Sequence, residues 1–279
     1  MPRAESQILR HSAAAAFPLR RWLRAPWDYF AMACGLLFWL IVGTLIAVIS
    51  LPLLVILPAA VARKVGRRVL HHTFKVFVFY LKATDLVHAD LRSLDSLKHQ
   101  KKPVIIAPNH TSLWDAVFVI SKLPEPICIM KKAILTNPVL GGGARLAGYI
   151  PNGASAGMVR AASNALSQSG QLLLFPEGTR TRRFARWINP LKGGCALISR
   201  QAGVPVRPVF IRSNTRFTEK GWPLWKRPDF PIKLSIELGD EIFPAEGESA
   251  HEFTRRLEEL YERNLSRAHK LRRQVVREG

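Results

Sequence analysis

A histidine and an aspartate, His110 and Asp115, stand five positions apart directly after a short apolar run in VIIAPNHTSLWD. A carboxylate that accepts a hydrogen bond from one imidazole nitrogen fixes the tautomer and raises the basicity of the other nitrogen. That second nitrogen can then take a proton from a substrate hydroxyl. On one continuous helix five residues turn through about 500°, and the two side chains would diverge. They meet only if His110 lies in a loop and Asp115 in the first turn of the next helix. The same residues also fit a plain structural reading, in which Ser112 caps the helix, Asp115 complements its dipole and His110 is an ordinary loop histidine.

A second segment, LLLFPEGTRTRR, ends an apolar run at Phe175 and turns at Pro176. Gly178 permits close backbone approach. Arg180 offers a planar fork suited to phosphate, and Glu177 either binds a substrate hydroxyl or holds Arg180. The alternative is a solvated basic loop with a local ion pair. A third stretch, Gly153-Ala154-Ser155-Ala156-Gly157, fits the spacing of a hydrolase nucleophile elbow. It is rich in small residues, and Ser155 reads better as the N-cap of the following helix.

The elements that must carry these residues alternate. Strands are expected over 104–107, 126–130, 171–175, 206–212 and 232–238. Helices are expected over 112–122, 138–147, 155–169 and 192–201, the last closed by Gly203. A charged amphipathic helix runs from Ser249 to about Gln274, opened by a Ser249/Glu252 capping box. Gly141 to Gly143 weaken the case for 138–147. Residues 64 to 100 are basic and mostly helical in pattern, and residues 1 to 20 read as a weakly ordered lead. Alternation of this kind predicts an α/β domain with a mostly parallel sheet flanked by helices. In such sheets sites form at the carboxyl ends of strands, where His110 falls.

Residues 31 to 62 contain no charge. As one straight helix these 32 residues would measure ~48 Å, against a bilayer core of ~30 Å, and they are too few for two full spans of about 20 residues each. Arg20, Arg21 and Arg24 precede the segment, and Arg63, Lys64, Arg67 and Arg68 follow it. Positive charge on both flanks favours keeping both ends on the cytoplasmic side. The expectation is a membrane-embedded helical hairpin bent near Gly43 or the Pro52/Pro58 pair, with a single tilted span as the alternative. The chain thus divides into an anchoring segment, 1–70, and an α/β domain, 71–279.

The formal net charge is +21. Such a surplus faces anionic lipid, an acidic carrier protein or nucleic acid. The apolar segment favours lipid, and no nucleic-acid recognition motif accompanies the charge. Cys34, Cys128 and Cys195 form no C-x-x-C pair and read as reduced, buried thiols with no zinc site. The loop Ser213 to Pro231 carries Trp222, Trp225, Lys220, Lys226 and Arg227, a mixture that suits a membrane interface or a cover over the core edge.

Taken together, Asn109-His110 with Asp115 and the segment Phe175-Pro176-Glu177-Gly178-Thr179-Arg180 resemble the glycerolipid acyltransferase family, most nearly the bacterial 1-acyl-glycerol-3-phosphate (lysophosphatidate) acyltransferases. Val204-Pro205-Val206-Arg207-Pro208-Val209 matches a further family motif, and the resemblance covers roughly residues 70 to 240. It implies a membrane-bound transferase that moves a fatty acyl group from acyl-ACP or acyl-CoA to a lysophospholipid hydroxyl. His110 would be the base and Asp115 its orienter, with no metal and no bound cofactor. Asn109, Lys131, Lys132, Glu177, Gly178, Thr179 and Arg180 would bind the acceptor and its phosphate. The partners implied are the bilayer, acyl carrier protein or a CoA thioester, and the lysophospholipid, with no nucleic acid. The location implied is the cytoplasmic face of a bacterial inner membrane. One departure stands out: where the family's second motif carries an arginine, this chain has Asn152-Gly153-Ala154. That leaves room for another lysolipid, an acylated amino acid, or a non-catalytic membrane-binding homologue.

Overall fold

The computed structural model describes the backbone of residues 2–278 except 154, 183, 184, 186, 216, 219, 220 and 224, and the side chains of residues 24–266 save those positions and 168–169. Ala154 and Lys220 therefore lie outside the described residues.

The chain opens with two helices, α1 (Pro2–Ile56) and α2 (Ala59–Ala83). They run side by side in opposite directions: Phe38 stacks on Phe77 at 5.3 Å, Trp39 meets Phe74, and the Tyr80 hydroxyl donates to the Ala31 carbonyl. The hairpin turns at Leu57–Pro58, so of the positions expected to bend the chain Pro58 is the one used, and α1 passes Gly43 and Pro52 without a break. Proline cannot donate the N–H that would carry α1 further, and its fixed φ starts α2 instead. The helix includes residues 2 to 20, the lead to the apolar segment. Residue 70 falls inside α2.

Alternating strands and helices follow: β1 (Val87–Asp90), a 3-10 helix (Arg92–His99), β2 (Val104–Pro108), α3 (Asp115–Ile120), β3 (Ile127–Met130), α4 (Lys132–Leu135), α5 (Gly141–Leu146), β4 (Ile150–Pro151), α6 (Ala156–Ser169), β5 (Gln171–Leu173), α7 (Gly194–Ala202), β6 (Val206–Ser213), β7 (Ile232–Leu238) and α8 (Ala250–Glu278). The sheet order is β1-β7-β6-β2-β5-β3-β4, and every neighbouring pair is parallel except β6 with β7. β2 is central, pairing Ile105 with both Val206 and Leu172. All five of its residues are buried, as a strand covered on both faces requires. Val104 and Ile106 join the core beneath α2 and α3, while Ile105 and Ala107 join the one beneath α6 and α7.

Two details hold the frame. The Ser249/Glu252 box closes as expected, Ser249 N–H to Glu252 at 2.8 Å and Glu252 N–H to Ser249 Oγ at 3.2 Å. The Gly141–Gly143 run is helical after all, because α5 lies against α1: a Cβ on Gly142 would overlap the Ala47 backbone. One face of α1, at Asp28, Ala31, Gly35, Gly43, Ala47 and Ser50, is buried at near-helical spacing. The opposite face exposes Leu37, Leu40, Ile41, Leu45, Val48 and Val55. The stretch Arg24–Ile56 is long and apolar enough to cross a membrane.

Candidate active site

β2 ends at Pro108 and hands the chain to a loop at the carboxyl edge of the sheet. Asn109 anchors the exit. Its side-chain amide donates to the Ile211 carbonyl at 3.0 Å and accepts from the Ile211 N–H at 2.7 Å, tying β2 to β6. His110 follows, with Nδ1 at 3.0 Å from Asp115 Oδ2. Asp115 is the first residue of α3, and its carboxylate is 0% exposed. The same oxygen accepts the Ser112 N–H at 2.7 Å, and Oδ1 takes the Thr111 hydroxyl at 3.3 Å. The loop-then-helix arrangement required by the five-residue spacing is therefore formed. Asp115 occupies one imidazole nitrogen, and among the described residues Nε2 has no protein partner. The ring is stacked on Phe175 at 4.1 Å.

Phe175 brings in the second segment, which leaves β5 beside β2. Glu177 turns inward. Its carboxylate accepts the His110 N–H at 2.7 Å, the Asn189 N–H at 2.8 Å and the Thr181 hydroxyl at 2.9 Å. Burial pushes this carboxyl up, and the donations from His110, Asn189 and Thr181 pull it back. Thr181 Oγ1 also reaches the His110 carbonyl at 2.9 Å. Arg180 donates to the Thr218 carbonyl at 2.6 Å; burial lowers its guanidinium, and the Asp115 charge opposes that shift.

Asn109 and Glu177, expected among the substrate contacts, spend their polar atoms on the protein's own backbone, because each is about 1% exposed. They shape the loop that carries His110. Lys131 and Lys132 are exposed at the end of β3, which reaches the same sheet edge but is separated from β2 by β5. No described contact joins them to His110. Thr179 is half-buried and Gly178 holds φ +64. Ser155 is an N-cap, its Oγ accepting the Met158 N–H at 3.3 Å, and not a nucleophile elbow. Cys128 and Cys195 are buried free thiols pushed up to about 12 by desolvation, while Cys34 is free and half-buried.

Residue-type reasoning missed Thr218. It is 1% exposed and holds φ +60, rare for a β-branched residue. Its Oγ1 lies 2.8 Å from Ser112 Oγ and accepts the Leu113 N–H at 3.2 Å, while its carbonyl holds Arg180. Thr218 thus ties the 214–231 loop to both motif segments. Left-handed backbone at a threonine was the latent signal, and it is invisible without coordinates. The same loop both covers the core, through Phe217 and Phe230, and exposes Trp225; Arg227 reaches the buried Asp28 of α1 at 2.8 Å.

A narrow apolar cavity runs from Ser112 and Trp114, which flank the turn into α3, past Phe77, Phe217 and Phe230 to Met32 and Leu36 of α1.

Residues 89–212 match the family model described as Acyltransferase. The chain is also similar to named proteins. The 1-acyl-sn-glycerol-3-phosphate acyltransferase of Streptococcus pneumoniae is 29% identical over 159 residues, 55% of this chain and 57% of that protein. The protein of the same name from Pseudomonas aeruginosa is 27% identical over 174 residues, 58% of this chain and 62% of that one. The chain thus spans about three-fifths of the length of the relatives it matches. The crystal structure of the 1-acyl-sn-glycerophosphate (LPA) acyltransferase PlsC from Thermotoga maritima superposes with a TM-score of 0.62 at 20% identity, over 90% of this chain and 97% of that one. Nine-tenths of this chain therefore shares that fold.

Proposed function

We propose that this chain is a membrane-associated acyltransferase that esterifies the hydroxyl of a lysophospholipid, 1-acyl-glycerol-3-phosphate above all, with a fatty acyl group from acyl-CoA or acyl-ACP. The observation that carries this reading is the 3.0 Å contact of His110 Nδ1 with a fully buried Asp115, which leaves Nε2 available. Nε2 takes the proton of the acceptor hydroxyl as its oxygen attacks the thioester carbonyl. A C–O bond forms, the C–S bond breaks, and the imidazolium returns the proton to the departing thiolate. No acyl-enzyme is needed. Arg180, the one cation of the FPEGTR segment, faces the same loop and would hold the acceptor phosphate.

The apolar cavity supports acyl-chain binding between the sheet and the helix pair. The burial of α1 on one face and its apolar exposure on the other support a hairpin lying in one leaflet, with the domain on the cytoplasmic face of a bacterial inner membrane. A helix packed on the α/β domain from Asp28 to Ser50 has no freedom to stand across the bilayer away from it. A second reading, another lysolipid as acceptor, is favoured by Asn152-Gly153 in place of the expected arginine.

The test is turnover by purified protein in detergent with acyl-CoA and acyl-ACP donors against a panel of lysolipids. Ester formation on lysophosphatidate is expected. Turnover only with another acceptor selects the second reading, and no turnover with any pair sinks both.

A further inference from the structure

A second cavity, of about 490 Å³, opens on the sheet face opposite the apolar one, beneath α6 and α7. Its lining includes Phe175, on whose ring His110 is stacked, and also Asn152 and Gly153, the positions where the family resemblance expects an arginine. Among its described lining residues Lys192 is the one charged group, and no acidic residue lines it.

Lys192 is an exposed residue whose backbone is tied to the motif loop. Its backbone N–H donates to the Pro176 carbonyl at 2.8 Å. Its side chain lies across Gly178: a Cβ on that glycine would stand 2.8 Å from Lys192 Cδ and 2.9 Å from both Cε and Nζ. Gly178 has φ +64 and adjoins Glu177, whose carboxylate binds the His110 N–H. The bare glycine therefore makes room for a lysine stem on the motif loop. Among the described residues no carboxylate lies within 4.0 Å of its ammonium.

We propose that Lys192 is the anchor for a phosphate ester in this second cavity, taking over the charge that Asn152-Gly153 of the same lining lacks. An unneutralised ammonium beside a mixed polar and apolar cavity fits a phosphate on a flexible, partly apolar arm. Two parts of the proposed reaction have that chemistry: the glycerol phosphate of the acceptor, and the phosphopantetheine arm shared by acyl-CoA and acyl-ACP. The proposal deepens the acyl-transfer reading and rests on it only for the identity of these two ligands.

Binding without turnover separates the two ideas. Calorimetry on the full chain in detergent would compare sn-glycerol 3-phosphate with glycerol, and 4′-phosphopantetheine with pantetheine, for wild type, K192Q and K192R. For one phosphate ester K192Q is expected to weaken binding by about tenfold or more, as loss of a charge-assisted contact does. K192R should retain most of the affinity, and the phosphate-free partner should bind equally to all three. Weakening with glycerol phosphate assigns the cavity to the acceptor, and weakening with phosphopantetheine assigns it to the donor. Wild type that binds neither ester, or K192Q that binds both as wild type does, overturns the proposal. Those results leave the turnover assay to judge the acyltransferase reading independently. Should K192Q fold poorly, K192M removes the charge and keeps the apolar stem across Gly178; unchanged binding there also overturns the proposal.

Discussion

Asp115 and Glu177 are both almost fully buried carboxylates, and both hold His110, but at opposite ends of that residue. Asp115 accepts from the imidazole Nδ1, while Glu177 accepts from the backbone N–H. The first contact acts on the proton chemistry of the ring, because it sets which nitrogen carries hydrogen. The second acts on position. Glu177 gathers N–H groups from His110 and Asn189 and the hydroxyl of Thr181, so it closes one motif loop over the other. Two acidic side chains of one chemical type, within reach of one histidine, thus do different work because different atoms of that histidine face them.

Variants at the two carboxylates can break this contrast. The largest effect is expected for His110→Ala, which removes the ring itself. The rate should fall by about 10²–10⁴-fold with folding unchanged; steady-state kinetics alongside circular dichroism check this, and activity within tenfold of wild type would refute the base assignment. Asp115→Asn should come next, with a loss on the order of 10²-fold and a displaced pH–rate profile, because an amide no longer stabilises the charged imidazole.

Glu177→Gln sharpens the comparison by failing differently. An amide nitrogen then faces N–H donors, at a cost of about 1–3 kcal/mol for the unsatisfied contacts. Thermal unfolding should show the loss, while the pH–rate profile of the remaining activity keeps the wild-type shape. The same site has a sign for stability against pH. Burial raises the Glu177 carboxyl above the usual glutamate value of 4.5, so in that window the native state holds more protons than the unfolded one. Wild-type stability relative to Glu177→Gln should therefore decline as pH rises from 4.5 through the raised value. Denaturant midpoints for both proteins across that range measure it, and a rising difference would reverse the assignment. The smallest effect is expected for Thr218→Ser, which keeps the hydroxyl that Ser112 and Leu113 contact. Its activity should stay within a few-fold of wild type, whereas Thr218→Val should lose more by leaving the Leu113 N–H unpaired.

Much of the fold could be read locally. The buried strand 104–108, the helix 156–169 with its Ser155 cap and the box at Ser249 follow from apolar periodicity and capping chemistry, which act over a few residues. β1 was missed inside a basic, helix-like stretch. Its four residues gain strand conformation only by pairing with β7, more than 140 positions later, as in Val87 with Ile232. Among the candidate bends, Pro58 is used and Gly43 is not. Gly43 resembles a bend in isolation, yet it lies where α1 approaches Val139, so its small size serves packing.

The sequence by itself singled out the candidate pair. His110 and Asp115 had one arrangement in which they could meet, and a strand end followed by a loop and a helix supplied it. The apolar segment and the positive charge around it were equally evident, since both are properties of composition. Only the tertiary structure decided that Glu177 and Asn109 face inward, that Thr218 links the two motif loops, and that Lys192 lies over Gly178. Those outcomes depend on strands β2, β5 and β6, far apart in the chain, arriving side by side at one sheet edge, and no local pattern of residues encodes which side chains meet there.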